Sequence, residues 1–104
     1  MPSMNVEVSH NLGRQRATEL LTQFLDGVKQ KYGNQVSNMN GQWAGNVLNF
    51  SFTTYGFEIA GKLTAEDSVA RVEGTLPFAA MLFQGRIEQT IRDELSKVLA
   101  AGKA

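Results

Sequence analysis

The sequence predicts an α+β fold: an antiparallel sheet of four to five strands in the order β-α-β-β-β-β-α, with both helices on one face in a helix-grip-like arrangement. Three observations predict it. One stretch near each end repeats apolar residues at three- and four-residue steps, the period of a helix with one buried face. The stretch between them alternates apolar and polar residues in short runs separated by turn formers, the pattern of strands that bury one side. The 104 residues contain no linker, internal repeat or low-complexity tract, so a single domain spanning residues 1–104 is expected.

Met4-Asn5-Val6-Glu7-Val8-Ser9 alternates as a first strand, with Met4, Val6 and Val8 facing inward. Asn11 offers a side-chain oxygen to cap a helix beginning near Leu12. Ala17, Leu20, Leu21, Phe24, Leu25, Val28 and Tyr32 form its apolar face, and Gly33-Asn34 closes it. Lys29 and Lys31 in the last turn complement the helix dipole.

A weaker strand over Val36 to Trp43 follows, with a bulge expected at Asn40-Gly41 and a turn at Gly45-Asn46. Val47 to Thr53, Phe57 to Thr64 and Val69 to Leu76 then alternate cleanly, joined by turns at Thr54-Tyr55-Gly56 and Ala65 to Ser68. Pairing Phe52 with Phe57 sets Phe50 opposite Ile59 and Leu48 opposite Gly61. Pairing Leu63 with Ala70 sets Gly61 opposite Val72 and Ile59 opposite Gly74. Residues two apart share a face, so these side chains build the core. Asn49, Ser51, Thr53, Glu58, Lys62, Arg71, Glu73 and Thr75 face water.

Pro77 holds Leu76 extended and suits a first helical turn. The last helix carries the stripe Phe83, Ile87, Ile91, Leu95, Val98 and Leu99. Phe78 to Leu82 reads either as its first turns or as an apolar loop. Gly85 costs about 1 kcal/mol in a helix interior, so the regular helix is placed from near it. Ala101 to Ala104 is expected to fray.

Ten basic and ten acidic side chains leave a formal net charge of zero, which disfavours a nucleic-acid partner because phosphate neutralisation drives that binding. Low net charge also leaves little repulsion between copies, so a homodimer is a candidate state. The absence of cysteine removes disulfides, thiolate metal sites and cysteine nucleophiles. Met1 to Asn5 lacks the basic and apolar blocks of a signal peptide, and the longest apolar run, Leu76 to Phe83, is too short for a transmembrane segment. A cytoplasmic location is expected.

Catalytic constellations are not legible. His10 is the only histidine, so a paired-histidine metal site and a triad built on any other histidine are excluded; Ser9 and His10 as nucleophile and base would point to opposite faces of a strand, which favours a plain strand-end histidine. No metal or cofactor is expected, and no enzyme activity. Glu88, Asp93 and Glu94 alternate with Arg86 and Arg92, reading as an exposed, ion-paired helix face. Glu66-Asp67 reads as a solvated hairpin tip. Glu58, Lys62, Arg71 and Glu73 on the outer sheet face read as cross-strand pairs or as a contact surface for a partner.

Two features invite a functional reading. Gly61 and Gly74 stand on the inward face where a core strand ordinarily carries Val or Ile. They leave room either for a close helix, the commoner reason, or for an apolar ligand in a pocket reached by Tyr55. Phe78, Met81 and Leu82 form an apolar corner beside Phe83, which either closes the core or touches an apolar partner surface. Trp43 and Tyr55 at strand ends carry the same two readings.

Met4 to Gly13, the segment Leu48-Asn49-Phe50-Ser51-Phe52, and Arg71 to Phe78 together resemble the polyhydroxyalkanoic acid system family, as does Phe83 to Ile91. These are small bacterial proteins named for genes near polyester-granule loci. The resemblance runs over nearly the whole chain but carries no catalytic motif, so no active-site residue is transferred. It implies a bacterial cytoplasmic accessory or interaction protein of polyhydroxyalkanoate metabolism, with a polyester granule or a granule protein as candidate partner. The alternative is a carrier of a small acyl or hydroxy-acid ligand. An enzyme acting on polyester precursors would need Arg71, Tyr55 or His10 to converge at one concave site.

Overall fold

The computed structural model describes residues 3–103. The chain runs β1 (Ser3–Ser9), α1 (Arg14–Leu21), α2 (Phe24–Tyr32), β2 (Val36–Ala44), β3 (Val47–Thr54), β4 (Phe57–Ala65), β5 (Val69–Thr75), a 3-10 helix (Phe78–Phe83), α3 (Gln84–Ala100) and a closing 3-10 turn (Ala101–Lys103). The strands form one antiparallel sheet in the order β1-β5-β4-β3-β2, with the helices on a single face. This is the expected α+β order, and the side chains between sheet and helices form one core that includes Met4, Val6, Phe50, Ile59, Val72, Ile91 and Leu95.

The first helical stretch keeps its apolar face but breaks in two. Thr22 Oγ1 donates to the Glu19 carbonyl at 2.7 Å, and the Gln23 N–H donates to Leu20 O three residues back. A hydroxyl competing for a helical carbonyl tightens the turn there, so α1 and α2 meet at Thr22–Gln23 rather than forming one rod. The start also differs from expectation. Asn11 does not cap; Gly13 at φ +80° turns the chain into α1, while the Leu12 N–H donates to Nδ1 of buried His10 at 3.1 Å.

The strand register is shifted by two residues from the expected one. Tyr55 and Gly56 alone make the β3–β4 turn, both with positive φ (53° and 80°), the backbone that a two-residue hairpin demands. Thr54 therefore pairs with Phe57, Phe52 with Ile59, Phe50 with Gly61 and Leu48 with Leu63. On the other side Ala65 pairs with Ala70, Leu63 with Val72 and Gly61 with Gly74. A shift of two preserves which side chains face inward, so the core assignment survives. The irregularity in β2 lies between Ser37 and Asn40, where Asn38 adopts φ 52°, just before the expected bulge.

α3 begins at Gln84, and the preceding apolar residues form the 3-10 helix, anchored by buried Ala80 and its N–H bond to Pro77 O. Two α3 side chains reach β1, an outer strand of the sheet: Arg92 donates to Glu7 O at 3.1 Å and Gln84 to Ser3 O at 3.4 Å. Carbonyls on that edge strand are thus partly occupied, which blunts strand-to-strand association there. The closing turn does not fray over Ala101–Lys103: Gly102 sits against Leu20 near the end of α1 and Leu12 ahead of it, while Ala104 lies outside the described residues.

Candidate functional site

The 3-10 helix follows Pro77 and projects from the end of the sheet where the β3–β4 hairpin turns. Phe78, Met81 and Leu82 are 70%, 52% and 91% exposed, and with Tyr55 they are the large apolar side chains most open to water among the described residues. Phe83, at the end of the same helix, points the other way. Its ring stacks on Tyr55 at 4.6 Å between centroids and lies 6.2 Å from Phe57. The hairpin tip and the 3-10 helix therefore brace each other, and Tyr55 holds a left-handed backbone conformation that costs an ordinary L-residue roughly 1 kcal/mol or more. The corner is a set of apolar side chains presented on an aromatic support.

Gly61 and Gly74 lie directly opposite each other, in a row that crosses all five strands: Gly41, Phe50, Gly61, Gly74, Met4. A Cβ on Gly61 would come within 3.0 Å of the Phe50 ring, and one on Gly74 within 3.3 Å of the Met4 methyl and 2.6 Å of the Ala60 carbonyl oxygen. The trough over the glycines is thus occupied by Phe50 and Met4, which lie across the sheet. Gly41 in the same row lies against a helix side chain, Leu25. Tyr55 does not join Gly61 and Gly74. It borders a separate cleft with Tyr32, Phe52 and Ile87, whose volume of about 20 Å³ corresponds to a single water.

Glu94 departs most from its expected place. It is 1% exposed, and among the described residues α3 carries no ion pair at all. Its carboxylate fills the space over Gly27 of α2, a glycine whose position in mid-helix has this as its physical reason. The Oε2 atom has no hydrogen-bond partner. The signal in the sequence was Gly27 rather than Glu94: a helix-interior glycine asks what passes close to it.

His10, Arg71 and Tyr55 do not converge. Tyr55 sits at the β3–β4 end of the sheet and His10 at the β4–β5 end, where its backbone N–H bonds to Ser68 O. Arg71 lies on the outer face, 2.8 Å from Glu7 and 2.6 Å from Glu66. The hydrogen bond to Glu7, followed by the charge of Glu66, raises the Arg71 pKa and keeps the guanidinium charged. Lys62 stands across from Glu73. The outer face carries the Arg71 ion pairs among other charged and short polar side chains. Trp43 is half-buried at the edge of the core.

Residues 4–99 match the family described as "Putative polyhydroxyalkanoic acid system protein". The chain belongs to this family. No curated protein matches the sequence. Among solved structures the fold of this family member is similar to that of the Aha1 dimer from Colwellia psychrerythraea, with a TM-score of 0.62 and 14% identity over 100% of both chains. It is also similar to DynU16, from the dynemicin biosynthetic locus, with a TM-score of 0.60 and 15% identity, covering 96% of this chain and 48% of that one. At such identities the likeness is one of fold. No helix among the described residues is long and apolar enough to cross a membrane.

Proposed function

We propose that this polyhydroxyalkanoic acid system protein is a non-enzymatic, cytoplasmic accessory module that meets the apolar surface of a polyester granule through Phe78, Met81 and Leu82. The observation that carries the reading is the exposed apolar corner on its aromatic brace. The exposed fractions of the three side chains amount to about two whole ones, and fully burying one is worth roughly 1.5–3 kcal/mol, so the corner offers about 3–6 kcal/mol before the costs of association. That suits reversible attachment to a surface present in great excess. It suits a dimer less well. Four such side chains expose at most about 500 Å², taking ~200 Å² for a large one, against ~800 Å² per partner in a standard interface. A granule protein or a second copy would need further contacts.

The trough over Gly61 and Gly74 is filled and the cleft beside Tyr55 has room for one water, so the small-ligand carrier draws no support from these three residues. The test is co-sedimentation of the purified protein with washed native polyester granules. Wild type is expected to bind saturably and with little dependence on salt. Leu82→Gln combined with Met81→Gln, both on exposed positions, is expected to weaken binding at least tenfold while leaving the fold intact. Undiminished binding by the folded double variant would remove the corner as the contact. Wild type that stays in the supernatant would remove the granule itself.

A further inference from the structure

The sheet ends in two edge strands, β1 and β2, and the chain treats them differently. On β1 the outward carbonyls of Ser3 and Glu7 accept hydrogen bonds from Gln84 and Arg92 of α3. On β2 the two-residue turn at Gly45-Asn46 makes Ala44 and Val47 a hydrogen-bonded pair, and alternation extends the same bonding to Gln42 with Asn49 and Asn40 with Ser51. The N–H and C=O groups of Gly41 and Trp43 therefore point away from the sheet, and among the described residues nothing bonds to them. β2 carries neither a charged residue nor a proline, the usual guards of an exposed edge. The irregularity between Ser37 and Asn40 confines the regular open stretch to residues 40–44. Half-buried apolar side chains run beside it: Met39 and Trp43 from the strand, and Leu25 from α2 against Gly41.

We infer that β2 pairs antiparallel with β2 of a second copy, about a twofold axis through Gln42. The two residues with free backbone groups lie two apart, so half a rotation sets Gly41 of each chain against Trp43 of the other. Each such pair exchanges two hydrogen bonds. With no side chain at Gly41, the indole of the other copy lies close beside it, against Leu25. This strand supplies that fit of indole to glycine to itself, whereas an unrelated strand would share only the backbone bonds. Gln42, exposed on the outer face, meets Gln42 of the other copy, and no like charges oppose each other along the strand. Five residues of strand bury less than the ~800 Å² per partner of a standard interface, so the dimer is weak and forms with concentration. The paired stretch lies towards the Gly45-Asn46 end of β3 and the apolar corner at its Tyr55 end, so the inference is independent of the granule reading.

The experiment is sedimentation velocity of the whole chain at low ionic strength, from ~10 µM to ~1 mM, the range suited to a small contact. Wild type is expected to pass from monomer to dimer. Gln42→Lys and Gln42→Glu each set like charges face to face on the axis, and each is expected to weaken dimerisation about fivefold. Mixed in equal amounts, the two are expected to recover the wild-type affinity or better. Amide hydrogen exchange at Gly41 and Trp43 is expected to slow as concentration rises. A monomer at every concentration would overturn the inference and leave the edge to an extended segment of another protein. A dimer indifferent to both charges, or variants that do not recover when mixed, would overturn the register and with it the inference. Loss of the dimer in the double variant Met81→Gln, Leu82→Gln would overturn it as well, by assigning the contact to the apolar corner.

Discussion

Replacing Gly27 by alanine should reveal whether the Glu94 carboxylate is seated over Gly27, between α2 and α3. In an ordinary helix interior Gly→Ala gains about 1 kcal/mol, because alanine loses less backbone freedom on folding. At Gly27 the new Cβ would fall on the carboxylate, 2.7 Å from Cδ of Glu94 and closer still to Oε1. The long side chain can swing out, but only by abandoning its packing between α2 and α3, and overpacked sites cost about 1–3 kcal/mol. The gain and the cost oppose each other. Gly27→Ala is therefore expected to change stability by between zero and about −2 kcal/mol in the wild-type background. With Glu94→Ala already present, where the space is empty, the same substitution should gain the full ~1 kcal/mol. The coupling in this double-mutant cycle is thus about 1–3 kcal/mol. Urea unfolding followed by circular dichroism measures all four proteins, and equal m-values license the comparison. A full gain from Gly27→Ala alone, with no coupling, would refute the seated carboxylate.

Phe50→Ala is expected to cost about 3–5 kcal/mol, at the upper end for a core phenylalanine, since Gly61 and Gly74 have no side chains that could collapse into the vacated trough; thermal melts report it. Gly74→Ala should destabilise by about 1–3 kcal/mol, because its Cβ meets the Ala60 carbonyl, a backbone atom that cannot turn aside; a gain in urea midpoint would contradict the close approach. Phe83→Ala should loosen the hairpin tip, losing stacking on Tyr55 worth roughly 0.5–1.5 kcal/mol beyond its buried area, and hydrogen exchange at Tyr55 and Gly56 should accelerate. Arg71→Met should cost under about 1 kcal/mol despite two short ion pairs, since all three side chains are substantially exposed. That small loss should shrink further in 1 M salt.

Alternation and helical period were enough to place every strand and both helical stretches, and to sort inward from outward side chains, because those patterns reflect a burial requirement that each residue carries locally. Even a register error of two left the sorting intact, as at Phe50 and Ile59, since faces repeat every second residue. What the tertiary structure alone decided were matters of distance between segments remote in the chain. Whether Tyr55 and Gly56 or a longer stretch made the turn determined that Gly61 meets Gly74 and that Phe50 covers them. Whether Met81 and Leu82 would be covered depended on where the 3-10 helix leaves the sheet, which no local pattern encodes. Glu94 has the sequence surroundings of a solvated charge, amid Asp93 and Arg92, yet it is buried because α2 approaches α3 at Gly27, sixty-seven residues earlier. Local chemistry prescribes which side of an element faces in; only the packed chain decides what it meets there.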